Sequence, residues 1–271
     1  MPELPEVETV VRNLRPELVG ETIRAFEAAW PKVTAPATVE AFAHQVVGRT
    51  IQGVNRRGKY ILLQLDRGYV HIHLRMTGHL FAIPAGEDAT NSQIRAQFQL
   101  SNGMRLLFRD QRKFGRMGYL DDLAPLEARL GPEPLAANFT GTLLAEQLAD
   151  RGRQIKPLLL DQSFIAGLGN IYVDEALFAA RIHPQTVAER IPADKVKTLH
   201  RAIRRLLRRS IERQGTTFSS FRFGRGETGS YRDRLKVFGR EDQPCPRCRT
   251  AIRKTRVAQR GTHHCPQCQQ I

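Results

Sequence analysis

Two cysteine pairs near the end of the chain constrain its fold more than any other feature. Cys245 and Cys248 form one Cys-x-x-Cys pair, and Cys265 and Cys268 form a second one after sixteen intervening residues. The 271-residue chain contains no other cysteine. Each pair places two thiolates on one side of a tetrahedral ion, and the spacing is that of a four-cysteine zinc ribbon. The sequence therefore predicts one structural Zn²⁺, with disulfides in a secreted protein as the alternative.

The segment between the two pairs is cationic. It carries Arg249, Arg253, Lys254, Arg256 and Arg260 and contains no acidic residue. A ribbon of this size has too small a core to fold by itself, so the metal supplies the folding free energy. The sequence predicts a metal-stiffened cationic hairpin, and such a hairpin suits a polyanionic partner.

The positive charge of the chain is concentrated in its last third. The net charge is +15, and residues 194–271 contain 20 Lys and Arg against 6 Asp and Glu, so this segment alone carries +14. A concentrated excess of this kind is typical of a nucleic-acid footprint. An anionic membrane surface is the other candidate partner, but no lipidation motif accompanies the basic segment.

Targeting and membrane signals are missing from the sequence. The N-terminus is acidic from its third residue and has no apolar signal-peptide region, and no apolar run approaches the length of a membrane span. With all four cysteines assigned to a metal, a reducing compartment fits best. We expect a cytoplasmic, nucleoid-associated protein that has no membrane partner.

The hydrophobic periodicity predicts an α+β protein of several domains. A helix begins near Pro5, Pro16 is expected to perturb or stop it, and Gly20 lies beyond its expected end. Period-two alternation then predicts strands at 22–26, 60–65, 69–74, 95–100, 104–108 and 118–120. These strands indicate an antiparallel β-sandwich with the first helix packed on it. The predicted domains are residues 1–130 for the sandwich, 131–220 for a helical domain, 221–242 for a loop and linker, and 243–271 for the zinc finger.

The helical domain contains two features with open interpretations. The glycine turn Gly167-Leu-Gly-Asn170 opens a helix and is either a phosphate cradle or an ordinary helix cap. The long predicted helix 194–213 has an apolar face and a basic face, and the basic face is either a solvated surface or a binding surface. After it, residues 216–231 lack periodicity and are expected to form a mobile loop.

Pro2 is the unusual residue at the chain start. If Met1 is removed, the chain begins with a secondary amine that is far less basic than a lysine side chain, and such an amine can form an iminium ion with a sugar carbon at the aldehyde level. Glu3 and Glu6 lie within one helical turn and can donate or relay protons. The alternative is that Pro2 only permits removal of Met1 and starts the helix.

Six motifs in a fixed order, together with the cysteine pairs, closely resemble the bacterial formamidopyrimidine-DNA glycosylases of the Fpg/Nei family over essentially the whole chain. Leu4-Pro5 favours this branch over the sister enzyme endonuclease VIII. The motifs are Met1-Pro-Glu-Leu-Pro-Glu-Val-Glu-Thr9, Arg56-Arg-Gly-Lys-Tyr60, Leu74-Arg-Met-Thr-Gly78, Asp110-Gln-Arg-Lys-Phe-Gly115, Gly167-Leu-Gly-Asn-Ile-Tyr172 and Gln259-Arg-Gly-Thr262.

The resemblance implies a helix–two-turn–helix motif in the helical domain, a lesion-capping loop in 221–242, and a bifunctional enzyme. Such an enzyme removes oxidised purines from double-stranded DNA and then cleaves the abasic site by β,δ-elimination. Pro2 matches the Schiff-base nucleophile and Glu3 the acid that protonates the opening sugar. Lys59 matches the proton donor in β-elimination, and Arg260 matches the arginine of δ-elimination. The family also suggests a monomer.

Further matches to the family concern contacts with DNA. Glu6 falls on a glutamate of the lesion pocket. The phosphate contacts of the helical domain fall on Arg151, Lys156 and Asn170. Three other matches would fill the stack that an extruded nucleotide leaves, namely Met76, Arg112 and Phe114. From pattern alone, Met76 and Phe114 are equally well explained as core residues.

The chain also departs from the family pattern. Gln111 and Lys113 replace the usual proline and arginine of the Asp-Pro-Arg-Arg-Phe-Gly motif, and Gln93 stands where a DNA-contacting histidine is common. The capping loop differs as well. Two alternatives therefore stay open: an oxidised-pyrimidine glycosylase of the endonuclease VIII type, and a non-enzymatic zinc-ribbon DNA-binding protein.

Overall fold

The computed structural model describes residues 1–87, 92–216, 224 and 226–271. The chain forms two compact units. The first comprises Met1–Glu127 and Arg213–Ser230, and the second comprises Ala128–Glu212 and Tyr231–Ile271. Within the described part of the chain, no helix has the length and apolar character needed to cross a bilayer.

The first unit begins with helix α1, Leu4–Leu18. Its apolar residues recur at helical spacing and are buried on one face. Of the two effects expected of Pro16, it does not stop the helix, because Pro16 lies inside it, and the helix ends before Gly20 as expected. A proline removes one helical hydrogen bond, but Leu18 is completely buried, and the packing of this side chain retains the last turn.

Eight strands of the first unit form two four-stranded antiparallel sheets, in the orders β1-β6-β7-β5 and β2-β3-β4-β8. A short helix α2, Val39–Val46, lies between β1 and β2 in sequence. The strands are β1 Ile23–Glu27, β2 Ile51–Arg57, β3 Tyr60–Leu65, β4 Tyr69–His73, β5 Gly78–Ile83, β6 Ile94–Leu100, β7 Arg105–Asp110 and β8 Arg116–Leu120.

The apolar side chains of α1, α2 and both sheets pack into one core cluster. Phe26 lies at its centre, with ring centroids 4.7 Å from Phe42 and 4.8 Å from Phe98. This arrangement confirms the predicted antiparallel sandwich with the first helix against it. The sequence missed α2, β2 and β5, of which β2 is polar at its end and β5 has four consecutive apolar residues, 80–83, in place of alternation.

The second unit is helical and carries the ribbon. A short helix α3, Ala124–Glu127, ends the first segment of the chain, and the helices that follow are α4 Gly141–Leu148, α5 Ile155–Leu160, α6 Asn170–Ala180 and α7 Ala193–Glu212. Strands β9, Arg253–Val257, and β10, Arg260–His264, pair as an antiparallel hairpin. The apolar face of α7 is buried and its arginine-rich face is largely exposed.

One buried carboxylate anchors the chain segment that leads into the ribbon. Glu175 of α6 is 2% exposed and accepts the backbone N–H groups of Lys236, Val237 and Phe238 at 2.8 to 3.0 Å. Burial raises the pKa of Glu175, although the three N–H donors act in the opposite direction. The contact fixes the entry to the ribbon on the same helix that begins with Asn170.

Candidate nucleic-acid site and zinc centre

The start of α1 brings two buried carboxyl groups to the chain terminus. Glu3 and Glu6 are 3% and 2% exposed. One oxygen of Glu6 accepts the N–H of Glu3 at 2.8 Å, and the other accepts the N–H of Thr216 at 2.7 Å. Gly215 has φ +82°, and a Cβ there would lie 2.9 Å from Glu6 Oε1. Glu6 therefore connects the chain start to the backbone of Thr216 through hydrogen bonds.

The electrostatics of the chain-start amine identify the groups around it. Burial lowers the pKa of the Met1 amine below its usual 8.0, and the charges of Lys59 and Arg112 lower it further. The Pro2 nitrogen, which becomes the terminal amine once Met1 is removed, lies one residue along from it. Glu3 and Glu6 act in the opposite direction. Because a lower pKa increases the neutral fraction near pH 7, this environment favours a nucleophilic amine. Four residues singled out in the sequence thus act on one nitrogen.

Two arginines hold the turn that carries Lys59. Arg56 Nε lies 3.1 Å from a carboxylate oxygen of Glu8, and Arg56 Nη1 donates to the carbonyl oxygen of Gly58 at 3.1 Å. Arg57 pairs with Glu127 at 2.8 Å. Burial alone would raise the pKa of Glu8, but Arg12 and Arg56 hold it below its usual value. Sequence reasoning missed these supports because Glu8 and Glu127 are distant in sequence.

The three residues matched to stack filling lie on two turns of the first unit. Met76, between β4 and β5, is 36% exposed, and Phe114, between β7 and β8, is 47% exposed. The guanidinium carbon of Arg112 lies 4.7 Å from the ring centroid of Phe114. These exposures do not fit the core-packing interpretation. Large apolar side chains left in solvent at such turns indicate a contact surface.

Asp110, completely buried, joins the two turns. Its carboxylate accepts the Thr77 hydroxyl from one turn and, from the other, the N–H groups of Arg112 at 3.2 Å and Gly115 at 2.7 Å. The backbone N–H of Asp110 donates to the carbonyl oxygen of Gln93 at 2.9 Å. Gln93 thus lies beside this turn. The sequence contained Asp110 as a motif residue but gave no sign of its bracing role.

The residues matched to phosphate contacts divide into exposed and enclosed ones. Arg151 and Arg260 are exposed. The Asn170 side chain donates to the carbonyl oxygen of Gly261 at 2.9 Å. Lys156 is completely buried, with its ammonium 2.6 Å from Asp174 Oδ1 and 3.1 Å from the same Gly261 oxygen. The phosphate contacts stay predictions, and the structure gives the Lys156 ammonium other partners.

The glycine turn before α6 is braced from within its own unit. Gln162 accepts the N–H of Gly167 at 2.9 Å and donates to the carbonyl oxygen of Leu168 at 2.9 Å. Gly167 has φ +90°, a conformation that favours glycine. The turn is thus a fixed entry into α6, and Asn170 is the first residue of that helix.

The four cysteines fit a zinc ion. Their sulfur atoms lie within 4.8 Å of one another, and three of the pairs are separated by 3.4, 3.5 and 3.9 Å. A tetrahedron with Zn–S bonds of about 2.3 Å has edges of about 3.8 Å. None of these four sulfurs is in a disulfide. Cys245, Cys248, Cys265 and Cys268 are the ligands of the structural zinc, and the disulfide alternative was wrong.

Part of the predicted loop lies outside the described residues. The expected mobile loop at 216–231 and the capping loop in 221–242 include residues 217–223 and 225, which the structure does not describe. Next to them, Thr216 forms an isolated β-bridge with Ser230, and the N–H of Ser230 donates to the carbonyl oxygen of Arg213 at 3.0 Å. The two ends of the loop are therefore close together.

A buried amine-and-carboxyl site on a sandwich, in one chain with a cationic zinc ribbon, defines the class of zinc-finger enzymes that act on nucleic acid. Three family descriptions match in order: "Formamidopyrimidine-DNA glycosylase N-terminal domain" at residues 1–117, "Formamidopyrimidine-DNA glycosylase H2TH domain" at 130–222, and "Zinc finger found in FPG and IleRS" at 242–271. The chain belongs to the formamidopyrimidine-DNA glycosylase family.

Individual relatives cover the whole chain. Formamidopyrimidine-DNA glycosylase of Chloroflexus aggregans is 48% identical over 99% of this chain and 98% of its own length, and that of Bacillus subtilis is 42% identical over 99% of both. A mutant of Lactococcus lactis FPG in complex with Fapy-dG containing DNA has a TM-score of 0.93 at 36% identity, with complete coverage of both chains. MutM in complex with carbocyclic 8-oxo-G containing DNA has a TM-score of 0.92, also at 36% identity and with complete coverage of both chains.

Proposed function

We propose that the chain is a bifunctional DNA glycosylase and abasic-site lyase of base excision repair that removes 8-oxoguanine and formamidopyrimidines from double-stranded DNA. The observation that carries the proposal is the grouping of the chain-start amine with buried Glu3 and with Lys59, whose charges act on that amine. The similar structures solved with Fapy-dG and 8-oxo-G DNA support the substrate class. The enzyme would work as a monomer where the chromosome lies, in the cytoplasm and nucleoid.

Base removal would use the amine of Pro2 after Met1 has been cleaved. The nitrogen lone pair attacks C1′ of the damaged nucleotide, and the base leaves with the electrons of the glycosidic bond. Glu3 then protonates the ring oxygen as the sugar opens, and the nitrogen loses its proton to give an iminium ion. Glu6 would line the lesion pocket and keep the chain start in place through its hydrogen bonds to Glu3 and Thr216.

Strand cleavage would follow from the same iminium ion. The positive nitrogen acidifies the hydrogens on C2′, and water takes one of them as a proton. The electrons of that C–H bond form a double bond between C2′ and C3′, the C3′–O bond breaks, and Lys59 donates a proton to the departing 3′-phosphate in β-elimination. A second elimination, assisted by Arg260, expels the 5′-phosphate. The position of Lys59 supports this role, because Lys59 is 5% exposed and its charge acts on the amine at the chain start.

Recognition would combine phosphate contacts with filling of the base stack. Arg151 and Asn170 are proposed to contact phosphates, and Met76, Arg112 and Phe114 to occupy the gap left by the extruded nucleotide. Unstacking a nucleotide costs a few kcal/mol, and apolar or planar side chains offset part of that cost. The exposed positions of Met76 and Phe114 support this role. The bound zinc supplies no chemistry to the reaction and stabilises the ribbon.

Trapping of the imine tests the proposal directly. With borohydride present, wild-type protein and a duplex containing 8-oxoguanine opposite cytosine should give a covalent adduct, because reduction of the iminium ion fixes the enzyme to C1′. Pro2→Gly replaces the secondary amine and should lower the adduct yield by about tenfold or more, a change within the range for removal of a positioned nucleophile. Gel electrophoresis measures the adduct, and mass spectrometry identifies its attachment site.

An adduct attached to a lysine, or an unchanged yield with Pro2→Gly, would contradict the assignment of the nucleophile. Specificity needs a separate measurement, since one similar complex, of Lactococcus lactis FPG, contains an oxidised pyrimidine. Competition between the 8-oxoguanine duplex and a thymine glycol duplex would decide between the two lesion classes. Preferred cleavage of thymine glycol would overturn the purine assignment.

Phe114→Ala should impair lesion processing without destabilising the fold. Because Phe114 is 47% exposed, the free energy of unfolding should change by no more than about 0.5 kcal/mol. Loss of stacking in the vacated gap should lower kcat/KM on the lesion duplex about tenfold, since stacking of an aromatic ring on a base is worth about 1–3 kcal/mol. Single-turnover kinetics and thermal melting measure the two quantities.

The matched control for Phe114→Ala is Val47→Ala, which removes another exposed apolar side chain of the same unit, 40% exposed. It should leave both kcat/KM and stability unchanged. If Phe114→Ala melted at a much lower temperature than wild type, the ring would be a packing element and the stacking role would be wrong.

A further inference from the structure

β9 pairs with one edge of β10. On the other edge, the backbone groups of β10 form hydrogen bonds with side chains of the helices. In an antiparallel pair, alternate residues direct their backbone groups away from the partner strand. Gly261 and His263 are two such residues, at the register positions opposite Arg256 and Lys254. Their outward carbonyl and N–H groups meet three side chains from α5 and α6.

Gly261 is held through its carbonyl oxygen. It accepts the Lys156 ammonium at 3.1 Å and the Asn170 amide at 2.9 Å, so two donors from different helices converge on one oxygen. Gly261 directly follows Arg260, and its carbonyl group belongs to the peptide unit between Gly261 and Thr262. The orientation of the Gly261 carbonyl therefore limits the direction in which the backbone of Arg260 leaves the turn.

His263 is held through its N–H group, which donates to Asp174 Oδ2 at 2.8 Å. The other oxygen of Asp174 binds the Lys156 ammonium at 2.6 Å, and both side chains are completely buried. The Asp174 carboxylate therefore accepts from β10 directly and also fixes the ammonium that donates to β10. A buried ion pair satisfied in this way is strongly directional, and removal of one partner leaves an uncompensated charge.

The turn at the tip of this hairpin needs such restraint. Ala258 and Gln259, the two residues between β9 and β10, have φ +45° and φ +61°. Side chains other than glycine, asparagine and aspartate adopt the left-handed conformation rarely, and they keep it where surrounding contacts impose it. The contacts of Gly261 and His263 with α5 and α6 hold the adjoining strand, together with its pairing to β9.

We propose that Asp174, acting through Lys156 and the edge of β10, is a positioning residue that fixes Arg260 for δ-elimination. The inference rests on the proposed function, in which Arg260 assists the second elimination. It also assigns Lys156 a different role from a direct phosphate contact, because the buried ammonium acts on the hairpin backbone. Asp174 touches neither substrate nor reacting atoms in this proposal.

The test is the ratio of δ- to β-elimination products on a preformed abasic-site duplex. Asp174→Asn keeps the size of the side chain but removes its charge and one acceptor oxygen. Displacement of Arg260 by about 1 Å should lower the δ:β ratio on the order of tenfold to a hundredfold. The yield of the borohydride adduct should stay within about twofold of wild type, since the amine and Lys59 belong to the other unit. Zinc content should stay at one ion per chain.

A second variant guards against a folding defect. Lys156→Leu combined with Asp174→Leu replaces the buried pair with apolar side chains, an exchange that buried pairs often tolerate. It removes the Lys156 hydrogen bond to Gly261 and the Asp174 hydrogen bond to His263 without leaving a charge, while Asn170 still donates to Gly261. The δ:β ratio should therefore fall as in Asp174→Asn. The matched control is Glu241→Gln, which breaks the exposed pair of Glu241 with Lys254 of β9, at 3.2 Å, and should leave the ratio unchanged.

The possible outcomes separate this inference from the proposed function. A wild-type protein that forms no adduct and no δ-product would refute the proposed function. Wild-type activity with an unchanged δ:β ratio in both variants would refute the positioning role alone. Loss of zinc and adduct together in both variants would also refute it, because Asp174 would then support the ribbon as a whole and not the placement of Arg260.

Discussion

Glu3→Gln should slow excision of 8-oxoguanine by about 10²–10⁴-fold, the usual contribution of a positioned general acid. The glutamine keeps the shape of the buried side chain but has no proton to give to the ring oxygen of the opening sugar. Reaction at a preformed abasic site should be far less affected, because the base has already left and the aldehyde is available to the amine. Single-turnover excision on a lesion duplex and adduct formation on an abasic-site duplex measure the two effects.

The same substitution should move the pH dependence of adduct formation. Glu3 raises the pKa of the Met1 amine while burial, Lys59 and Arg112 lower it, and we expect the same groups to act on the Pro2 amine once Met1 is removed. Loss of the Glu3 charge removes a stabiliser of the protonated amine, so the pKa falls and more amine is neutral at a given pH. The acidic limb of the trapping rate should therefore shift to lower pH. A shift to higher pH would mean that the trapped amine lies outside this environment.

Glu40→Gln is the matched control for Glu3→Gln. Glu40 also lies in the first turn of a helix, α2, but is exposed. The Glu40→Gln protein should excise 8-oxoguanine and form the borohydride adduct at the same rates as wild type. If Glu3→Gln excised 8-oxoguanine at the wild-type rate, another group would have to protonate the sugar, and the role of Glu3 would be limited to its position at the start of α1.

Features with short-range signatures could be predicted from the sequence. The cysteine pairs, the apolar face of α1 and the strand at 60–65 each depend on residues close together in the sequence, and the structure agrees with each of these predictions. The N-terminal motif was likewise informative because its residues are adjacent. Local patterns of this kind are informative because they show which side of a single helix or strand is buried.

Features with distant partners could not be predicted. Asp110 accepts a hydrogen bond from Thr77. Asp174 binds the Lys156 ammonium and the backbone N–H of His263. No local sequence pattern predicts either set of contacts. Pattern alone could not tell whether Phe114 was buried or exposed. Its exposure depends on the course of the 111–115 turn, and that course depends on the Asp110 hydrogen bonds.

For Lys156, the role predicted from the sequence differs from the contacts that the structure shows. In the sequence, the family resemblance alone places Lys156 at a phosphate contact. In the structure, the side chain is completely buried against Asp174. The phosphate contact stays a prediction, and the indirect role proposed above, through the hairpin backbone, is the alternative that the buried pair suggests.

Cys268→Ser should abolish zinc binding and weaken binding to an abasic-site duplex by about a hundredfold or more, because structural zinc supplies about 10–16 kcal/mol to the folding of isolated zinc fingers. The ribbon has few other sources of stability. Its apolar cluster contains Phe178, Val237 and Ile252, and the remaining members are metal-ligand cysteines. Without the ion, β9 and β10 lose the contacts that bring their cationic residues, including Arg260, to one face.

The salt dependence of binding identifies the cause of that loss. Each phosphate neutralised by the protein contributes about −0.9 to the slope of log K against log salt concentration, so loss of the hairpin cations should make the slope shallower. Fluorescence anisotropy over a series of NaCl concentrations measures it. Gln267→Ser, an exposed position in the same cysteine knuckle, should retain zinc, affinity and slope. A zinc-free Cys268→Ser protein with unchanged affinity and slope would show that the phosphates are bound by other residues, because an unfolded ribbon cannot hold Arg260 against the backbone.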